Sequence, residues 1–307
     1  MRPIRTIFAG LAFVLLGTGC LPGFRPSDRK NDRPPPEPLT AAAGKPTAEQ
    51  LVGYLNKQAA LLNSIESRDI DMDLRAQGSS VHLESGSLVC QKPRYFKLVG
   101  KKIGMQQFLA GSNDERFWVY INREDTLVHC SYTDYEKGAE MPIPFQPEWV
   151  LEALGMATCN PTETPRVEED RTTYKLIEEA TMRGQKVRKV TVFYKGTARD
   201  SQPQVVSRGM YDAATNKPIA LATIEEVSRI PVDRGGSAAP AYAICPRVIK
   251  LEWPAQDTKM TIDLGRMKIN GQVAVETFQM PRVGGKQIDL GRDRPTGRSV
   301  INPAGYR

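Results

Sequence analysis

The spacing of apolar residues changes from helical to strand-like early in the chain. Apolar residues recur every three or four positions from Leu51 to Leu62, and Thr47 and Gln50 precede them at the spacing of a capping box. From Ile65 onward apolar and charged residues alternate, which is typical of half-buried strands. The pattern therefore predicts one helix that ends near Asn63, followed by a sheet.

Short apolar segments separated by Gly, Asn and Asp turns continue to Tyr132, as in an antiparallel meander. A proline-rich break over 142–147 precedes a short helix that we predict over Glu148 to Met156. Strand-like segments resume at Thr173 and continue to Ile269. These elements predict an α+β protein, mostly antiparallel β, with a strongly curved sheet and helices over one face.

The N-terminal residues have the pattern of an export signal. Arg2 and Arg5 precede an apolar stretch, Ile7 to Leu16, that is too short to span a membrane stably. Small residues then lead to Cys20, an arrangement that resembles the bacterial lipobox, although Gly17 occupies the usual leucine position. We predict a signal peptide over 1–19 and lipidation of Cys20. Plain signal cleavage and a buried apolar helix are the alternatives.

Two further segments have compositions that disfavour a folded core. Residues 20–46 combine many prolines with charged residues, so they cannot bury enough apolar surface to fold, and proline keeps them extended. We interpret them as a tether between a membrane anchor and a domain over 47–281. Residues 282–307 are rich in Gly, Arg and Pro, and we predict a disordered tail there.

The charge pattern argues against a nucleic-acid partner. The formal net charge is +7, but basic residues alternate with acidic ones, as in Arg68-Asp69 and Asp73 to Arg75. A nucleic-acid site needs clustered basic residues interleaved with aromatic ones. Mild attraction to anionic lipid head groups is compatible with this surface.

No pattern of an enzyme, metal or cofactor site occurs in the chain. His82 and His129 are the two histidines and neither lies in a recognisable catalytic motif, while glycine-rich phosphate loops and G-x-S-x-G elbows are absent. Apart from Cys20, the cysteines are Cys90, Cys130, Cys159 and Cys245, without CxxC spacing. They permit two disulfides in three connectivities, or buried free thiols, and both interpretations stay open.

Several motifs occur in an order found in one family of periplasmic proteins. They are Gly86-Ser87-Leu88 with Lys92-Pro93 before the strand Tyr95 to Leu98, Ser112-Asn113-Asp114 before Phe117 to Tyr120, the helix Pro147 to Leu154, Tyr211-Asp212 with Thr215 and Lys217-Pro218, and Ile269-Asn270-Gly271 before Thr277-Phe278 and Pro281. In this order the chain resembles the LolA/LolB-like lipoprotein carriers and acceptors over Glu49 to Pro281. The resemblance implies that the Asp212 motif is an Asp-bearing turn before a strand and that the motifs from Ile269 to Pro281 form the family's closing motif.

The resemblance implies an unclosed half-barrel sheet whose concave face is covered by helices and holds acyl chains of a lipid or lipoprotein. Matching positions imply ligand contacts from the sheet, the helical lid and the mouth, namely Phe96, Leu98, Trp118 and Tyr120, then Trp149, Leu151 and Leu154, then Lys92. The competing interpretations are ordinary core residues and, for Lys92, a solvated side chain.

Together these features predict a lipid-anchored envelope protein that faces the periplasm and accepts acyl chains. Leu21 after Cys20 lacks the aspartate that the inner-membrane retention signal carries, so we expect the outer membrane. The alternatives are an envelope-stress sensor and a structural lipoprotein with a filled cavity. An envelope protein partner is possible in either case, and its identity is open.

Overall fold

The computed structural model describes residues 45–76, 78–139, 146–195, 204–232 and 241–292. The predicted signal peptide, Cys20 and the tether up to residue 44 lie outside these residues. The helices are α1 (Ala48–Ala60), α2 (Tyr132–Glu136) and α3 (Pro147–Ala153). The strands are β1 (Ser64–Ala76), β2 (Ser79–Gln91), β3 (Tyr95–Lys102), β4 (Met105–Ser112), β5 (Arg116–Ile121), β6 (Thr126–Ser131), β7 (Arg166–Glu169), β8 (Thr173–Met182), β9 (Gln185–Tyr194), β10 (Gln204–Asp212), β11 (Pro218–Val232), β12 (Ala241–Trp253), β13 (Thr258–Asp263), β14 (Met267–Ile269) and β15 (Lys286–Asp289).

Helix α1 begins at the predicted capping box. The Thr47 hydroxyl accepts a hydrogen bond from the Gln50 amide at 3.3 Å, and the Thr47 amide donates to Gln50 Oε1 at 2.9 Å. Both bonds satisfy amide groups that lack partners within the helix. The helix ends at Ala60, slightly before the predicted end near Asn63, because Asn63 already belongs to a turn in which its amide donates to Asn270 Oδ1 at 2.7 Å.

The predicted α+β class is confirmed, with mostly antiparallel strands in a sheet that is not closed. The chain divides into two compact units whose sequences interleave. Of the described residues, the first unit contains 45–61, 72–76, 78–82, 158–195, 204–232 and 241–263, and the second contains 62–71, 83–139, 146–157 and 264–292. Strands β1 and β2 therefore contribute residues to both units, whereas the sequence indicated one domain over 47–281.

In the first unit the strand order is β7-β8-β9-β10-β11-β12-β13. Helix α1 buries Leu51, Tyr54 and Leu55 in one cluster with Leu176 of β8 and Phe193 of β9. The side chain of Asn56 also forms two hydrogen bonds with the backbone of Cys159, at 2.9 and 2.7 Å. These contacts attach α1 to the segment that precedes β7.

The Asp-bearing turn expected from the sequence joins β10 to β11. The Asp212 carboxylate accepts hydrogen bonds from the Thr215 amide at 2.6 Å and from its hydroxyl at 2.7 Å. The hydroxyl bond is the largest cause of the lowered pKa of Asp212. Asn216 follows with φ of 56°, a left-handed conformation that asparagine tolerates well. The turn is thus built by local hydrogen bonds.

In the second unit the strand order is β15-β6-β5-β4-β3-β2-β1, and β14 pairs with β1. The predicted closing motif fastens the start of β1, because the Ser64 hydroxyl donates to the Gly271 carbonyl at 3.0 Å. Strand β15 lies in the segment for which we predicted a disordered tail, so that prediction is wrong over Lys286–Asp289. Its backbone pairs with β6, which composition alone does not reveal. Residues 293–307 lie outside the described part.

The helices in the described ranges are short. They contain 13, five and seven residues in α1, α2 and α3. No helix in this part of the chain is long and apolar enough to cross a membrane.

Candidate functional site

Five strands of the second unit place one row of side chains next to each other. The register aligns Cys90, Phe96, Ser112, Phe117 and Cys130 across β2 to β6. Directly opposed residues of antiparallel strands point to the same side of a sheet. All five side chains are buried, and Phe96 is 0% exposed. This row crosses one face of the sheet near the ends of the five strands.

A second apolar row runs beside the first on the same side. It aligns Leu88, Leu98, Ala110, Val119 and Val128 across the same strands, and all five are buried. We call the two rows together the Phe96 face. Its only hydroxyl group belongs to Ser112, which donates to the Arg94 carbonyl at 2.5 Å.

The opposite side of the same sheet is also apolar. Val99, Leu109, Trp118 and Leu127 form a buried cluster there, with Tyr120 packed against it, and we call this side the Trp118 face. The Trp118 ring lies directly over Gly111, where an added Cβ would be 2.6 Å from the indole. Met280 and Val283, from the segment after β14, pack on this cluster.

The structure therefore separates the strand residues that the sequence grouped as ligand contacts. Phe96 and Leu98 lie on the Phe96 face, and Trp118 and Tyr120 lie on the other. Four apolar residues in succession, Phe117 to Tyr120, make both sides of β5 hydrophobic. Alternation cannot decide which side faces the helices when both sides are apolar. Their binding roles remain predictions.

Helix α2 packs on the Phe96 face, a contact that the sequence did not reveal. The ring centroids of Tyr132 and Tyr135 lie 5.4 and 5.2 Å from that of Phe117. Gln146 precedes α3 directly, and its side-chain amide donates to the Tyr135 hydroxyl at 2.6 Å. Helix α3 thus begins beside α2. The sequence pattern placed Tyr132 at the end of a strand, whereas in the structure Tyr132 is the first residue of α2. The Ser131 hydroxyl caps this helix by accepting a hydrogen bond from the Asp134 amide at 3.0 Å.

The three predicted lid residues of α3 are all buried. Trp149, Leu151 and Leu154 are each 2% exposed. The indole N–H of Trp149 has no hydrogen-bond acceptor among the described residues. A buried donor without an acceptor is costly, since it has lost its hydrogen bond to water.

Charged and aromatic groups meet where α2 and α3 approach β3. The Arg94 guanidinium lies 4.3 Å from the centroid of the Tyr132 ring, and Arg94 Nε is 3.9 Å from Glu148 Oε1. Burial and, secondly, the nearby Glu148 charge raise the pKa of Tyr132. Desolvation also raises the pKa of Glu148, against the attraction of Arg94. These groups form the polar end of an otherwise apolar region.

Lys92 lies in the turn between β2 and β3, at the same end of the sheet as Arg94. Its amide donates to the Asn63 carbonyl at 3.0 Å. Partial burial lowers the pKa of its ammonium group. Lys92 therefore lies at one end of these strands with its side chain partly withdrawn from water, and its role at the mouth of a site stays a prediction.

The cysteines of the second unit are too far apart to be joined. Cys90 and Cys130 occupy the same row, separated by four strand spacings, or about 19 Å. A disulfide requires Cα atoms within about 7 Å. The four described cysteines form no disulfide with one another. In the described ranges, no group of three or more His, Cys, Asp or Glu side chains could hold a metal ion.

The Phe96 face is almost wholly apolar. Its polar members are two buried thiols and one hydroxyl that already has an acceptor. Aromatic rings from α2 border it at one end and charged groups lie nearby at Arg94. Pockets for apolar molecules have this combination of an apolar lining and a few polar groups at fixed places.

Comparison with known proteins gives structural similarity only. No family model matches the chain, and no curated protein matches it. A DUF1329 family protein from Desulfovibrio piger is 14% identical, with a TM-score of 0.48 over 76% of this chain and 95% of that one. A putative outer membrane lipoprotein-sorting protein domain from Vibrio parahaemolyticus is 12% identical, with a TM-score of 0.46 over 75% and 97%. A LolA superfamily protein from Nitrosomonas europaea is 12% identical, with a TM-score of 0.43 over 77% and 99%. At these identities and scores the similarity assigns no function to this chain.

Proposed function

We propose that this protein binds acyl chains of a lipid or an acylated lipoprotein on the Phe96 face, as an acceptor or carrier in a bacterial envelope. The observation that carries the proposal is the pair of adjacent apolar rows across β2 to β6. A face about 19 Å across provides a continuous apolar surface for most of a fatty acyl chain. Each methylene group that leaves water contributes about 0.8 kcal/mol.

Access to this face requires movement of the covering elements. Phe96 and Leu98 are both 0% exposed, so a ligand would replace contacts that the protein now makes with itself. Helix α2 has five residues, and α3 has seven. Such short helices contribute few backbone hydrogen bonds, which favours their displacement at modest cost.

The Trp149 indole and the polar groups around Arg94 would fix the orientation of a bound acyl chain. An acyl chain along the apolar rows could place its ester or amide oxygen near the Trp149 N–H, which lacks an acceptor among the described residues. Arg94 and Lys92 would then lie toward an anionic head group or the solvent. Leu151 and Leu154 of α3 would cover the chain.

We further propose that Cys20 carries the lipid anchor and that the protein faces the periplasm from the outer membrane. This part rests on the N-terminal sequence, where small residues precede Cys20 and Leu21 follows it. A lipid-anchored protein with a proline-rich tether can reach only a limited distance from its membrane. An acceptor role fits such an anchor better than a freely diffusing carrier does.

Binding is tested with the full chain and palmitate or a fluorescent analogue of palmitate. Leu98→Ala removes apolar contact surface from the Phe96 face, and Leu109→Ala removes an equivalent side chain from the Trp118 face, so the two form a matched pair. Both leucines are buried, so both variants lose comparable stability. We expect binding to weaken about tenfold in Leu98→Ala alone. Equal weakening in both variants, or no binding by the unaltered protein, would contradict the proposal.

A structural lipoprotein is the second candidate, because the side chains of the face are themselves well buried. The 0–2% exposure of Phe96, Leu98 and Trp149 is what a filled core would show. Mass spectrometry of the protein purified from membranes separates the two functions. Lipid or acylated peptide released in molar proportion supports binding. A protein that is free of lipid and binds no palmitate supports the structural function.

A further inference from the structure

The segment 279–292 passes around the edge of the sheet in the second unit, and we call it the C-terminal strap. Met280 and Val283 pack on the Trp118 face. Strand β15 then pairs in parallel with β6 and is itself the edge strand of the sheet at this side. Leu290 finally packs on the other side, against the cluster that contains Phe117 and Cys130. One short segment thus contacts both faces.

The strap adds one residue to the end of each apolar row. Ile288 is the register partner of Val128, which ends the second row. Asp289 is the partner of His129, so Leu290 follows beside Cys130, which ends the first row. The Leu290 amide donates to the His129 carbonyl at 3.0 Å, which holds it in this position. The Phe96 face therefore ends in two side chains that come from the strap.

Two glycines allow the strap to approach this closely. A Cβ on Gly285 would lie 2.1 Å from the Asp125 carbonyl oxygen, and one on Gly291 would lie 2.2 Å from the Asp134 carboxylate. Between them, β15 has four residues and pairs with one strand. Lys286 and Gln287 are exposed. A segment with so few buried contacts opens locally at lower cost than the strands it covers.

We propose that Ile288 and Leu290 act as a removable plug that occupies the β6 end of the acyl-binding face until a ligand displaces it. The inference rests on the proposed function and names a regulation of that same site. Leu290 packs against the cluster that contains Phe117 and Cys130, and a ligand at this end of the face would take over those contacts. The plug therefore lowers the apparent affinity by the fraction of molecules in which it is displaced. Truncation of the Ile288 and Leu290 side chains should therefore raise the affinity for an acyl ligand.

The experiment compares two double variants of the full chain that also carry Cys20→Ser, so that no acyl group is attached. Ile288→Ala/Leu290→Ala removes the plug from the Phe96 face. Met280→Ala/Val283→Ala removes two apolar strap side chains from the Trp118 face and is the matched control. We expect the first to bind palmitate about three- to tenfold more tightly than the Cys20→Ser protein. The control should bind palmitate with unchanged affinity.

Hydrogen exchange gives a second readout that does not depend on variant stability. When palmitate is added to the Cys20→Ser protein, we expect the Leu290 amide to lose protection while central amides of β4 retain theirs. Unchanged protection at Leu290 overturns the plug, as does equal affinity of both double variants. If the Cys20→Ser protein and both double variants fail to bind palmitate, the proposed function itself fails.

Discussion

Phe96 and Trp118 lie on opposite faces of the sheet in the second unit, although only β4 separates their strands. Phe96 is the register partner of Ser112, and Ser112 is the partner of Phe117. Trp118, the next residue, therefore points the other way. The two aromatic side chains belong to different apolar surfaces, covered by different parts of the chain. Substitutions at the two positions should have separable effects on binding.

The Trp149 indole provides a test of ligand polarity. Trp149→Phe keeps an aromatic side chain in α3 and removes the N–H that has no acceptor among the described residues. We expect the affinity for an acyl ester or amide to fall about two- to tenfold, the value of one hydrogen bond. The free energy of unfolding should stay the same or rise, since a costly buried donor is gone. Parallel calorimetry and chemical unfolding measure both quantities.

Binding of a plain alkane is the control for that variant, because an alkane offers no acceptor to the indole. Its affinity should be equal in Trp149→Phe and in the unaltered protein. An equal loss of affinity for the ester and the alkane would mean that Trp149 contributes through packing and not through a hydrogen bond.

Ile103, in the turn between β3 and β4, has a backbone conformation that is unfavourable for isoleucine, so a substitution there can raise stability. Ile103 has φ of 52° and is 79% exposed, and Gly104 follows with φ of 73°. β-branched residues rarely adopt this left-handed conformation, whereas Asn-Gly is the preferred pair in such hairpin turns. We expect Ile103→Asn to raise the free energy of unfolding by about 1 kcal/mol, measured by urea denaturation.

Ile103→Val is the control, because valine is also β-branched and keeps the unfavourable conformation. Its stability should match that of the unaltered protein. Destabilisation by Ile103→Asn would show that the isoleucine side chain makes a contact that supports the fold.

Ionisation of Tyr54 should lower the free energy of unfolding of the first unit at alkaline pH. Burial raises the pKa of Tyr54 to about 12, although Arg229 and Arg208 act in the opposite direction. The unfolded chain ionises this phenol near pH 10, so between about pH 10 and 12 the unfolded state binds fewer protons than the folded state. The stabilisation of the folded state by the buried, un-ionised phenol is fully present below pH 10 and is lost as the pH rises toward 12. About 3 kcal/mol disappears by pH 12.

Tyr54→Phe should remove part of this slope, the contribution of one phenol, in unfolding experiments at a series of pH values. Some slope remains, because burial raises the pKa of Tyr132 and of Cys245, the latter to about 12. An identical slope in Tyr54→Phe would refute the assignment.

The four described cysteines should react as free thiols. Alkylation of the denatured protein without reductant, followed by mass spectrometry, is expected to label Cys90, Cys130, Cys159 and Cys245. The distance of about 19 Å between Cys90 and Cys130 forbids a bridge in the folded sheet. A peptide that links these two residues would contradict the register of β2 to β6.

Local chemistry made several elements predictable. The capping box of Thr47 and Gln50 located the start of α1 to the residue, and the Asp212 turn formed where its sequence indicated. Period-two alternation located the long strands β1 and β2, because their exposed sides are polar. The buried aromatic and aliphatic residues of α3 were likewise visible, since an apolar run after Pro147 favours a short packed helix.

Other features depended on contacts between residues far apart in the sequence. Strand β15 is polar and glycine-flanked, so composition indicated a tail, and only its pairing with β6 makes it a strand. Helix α2 follows a strand without a break, and its packing on Phe117 needed the sheet to exist first. No local signal distinguishes these outcomes.

The sequence by itself determined the fold class, the main helix and most strands of this protein, because hydrophobic spacing and capping act within a few residues. The tertiary structure decided which apolar residues share a face. Along Phe117 to Tyr120 both sides of the strand are hydrophobic, so burial alone favours neither orientation. The cross-strand hydrogen-bond register chose between them, and it placed Phe96 with Phe117 and left Trp118 on the other side.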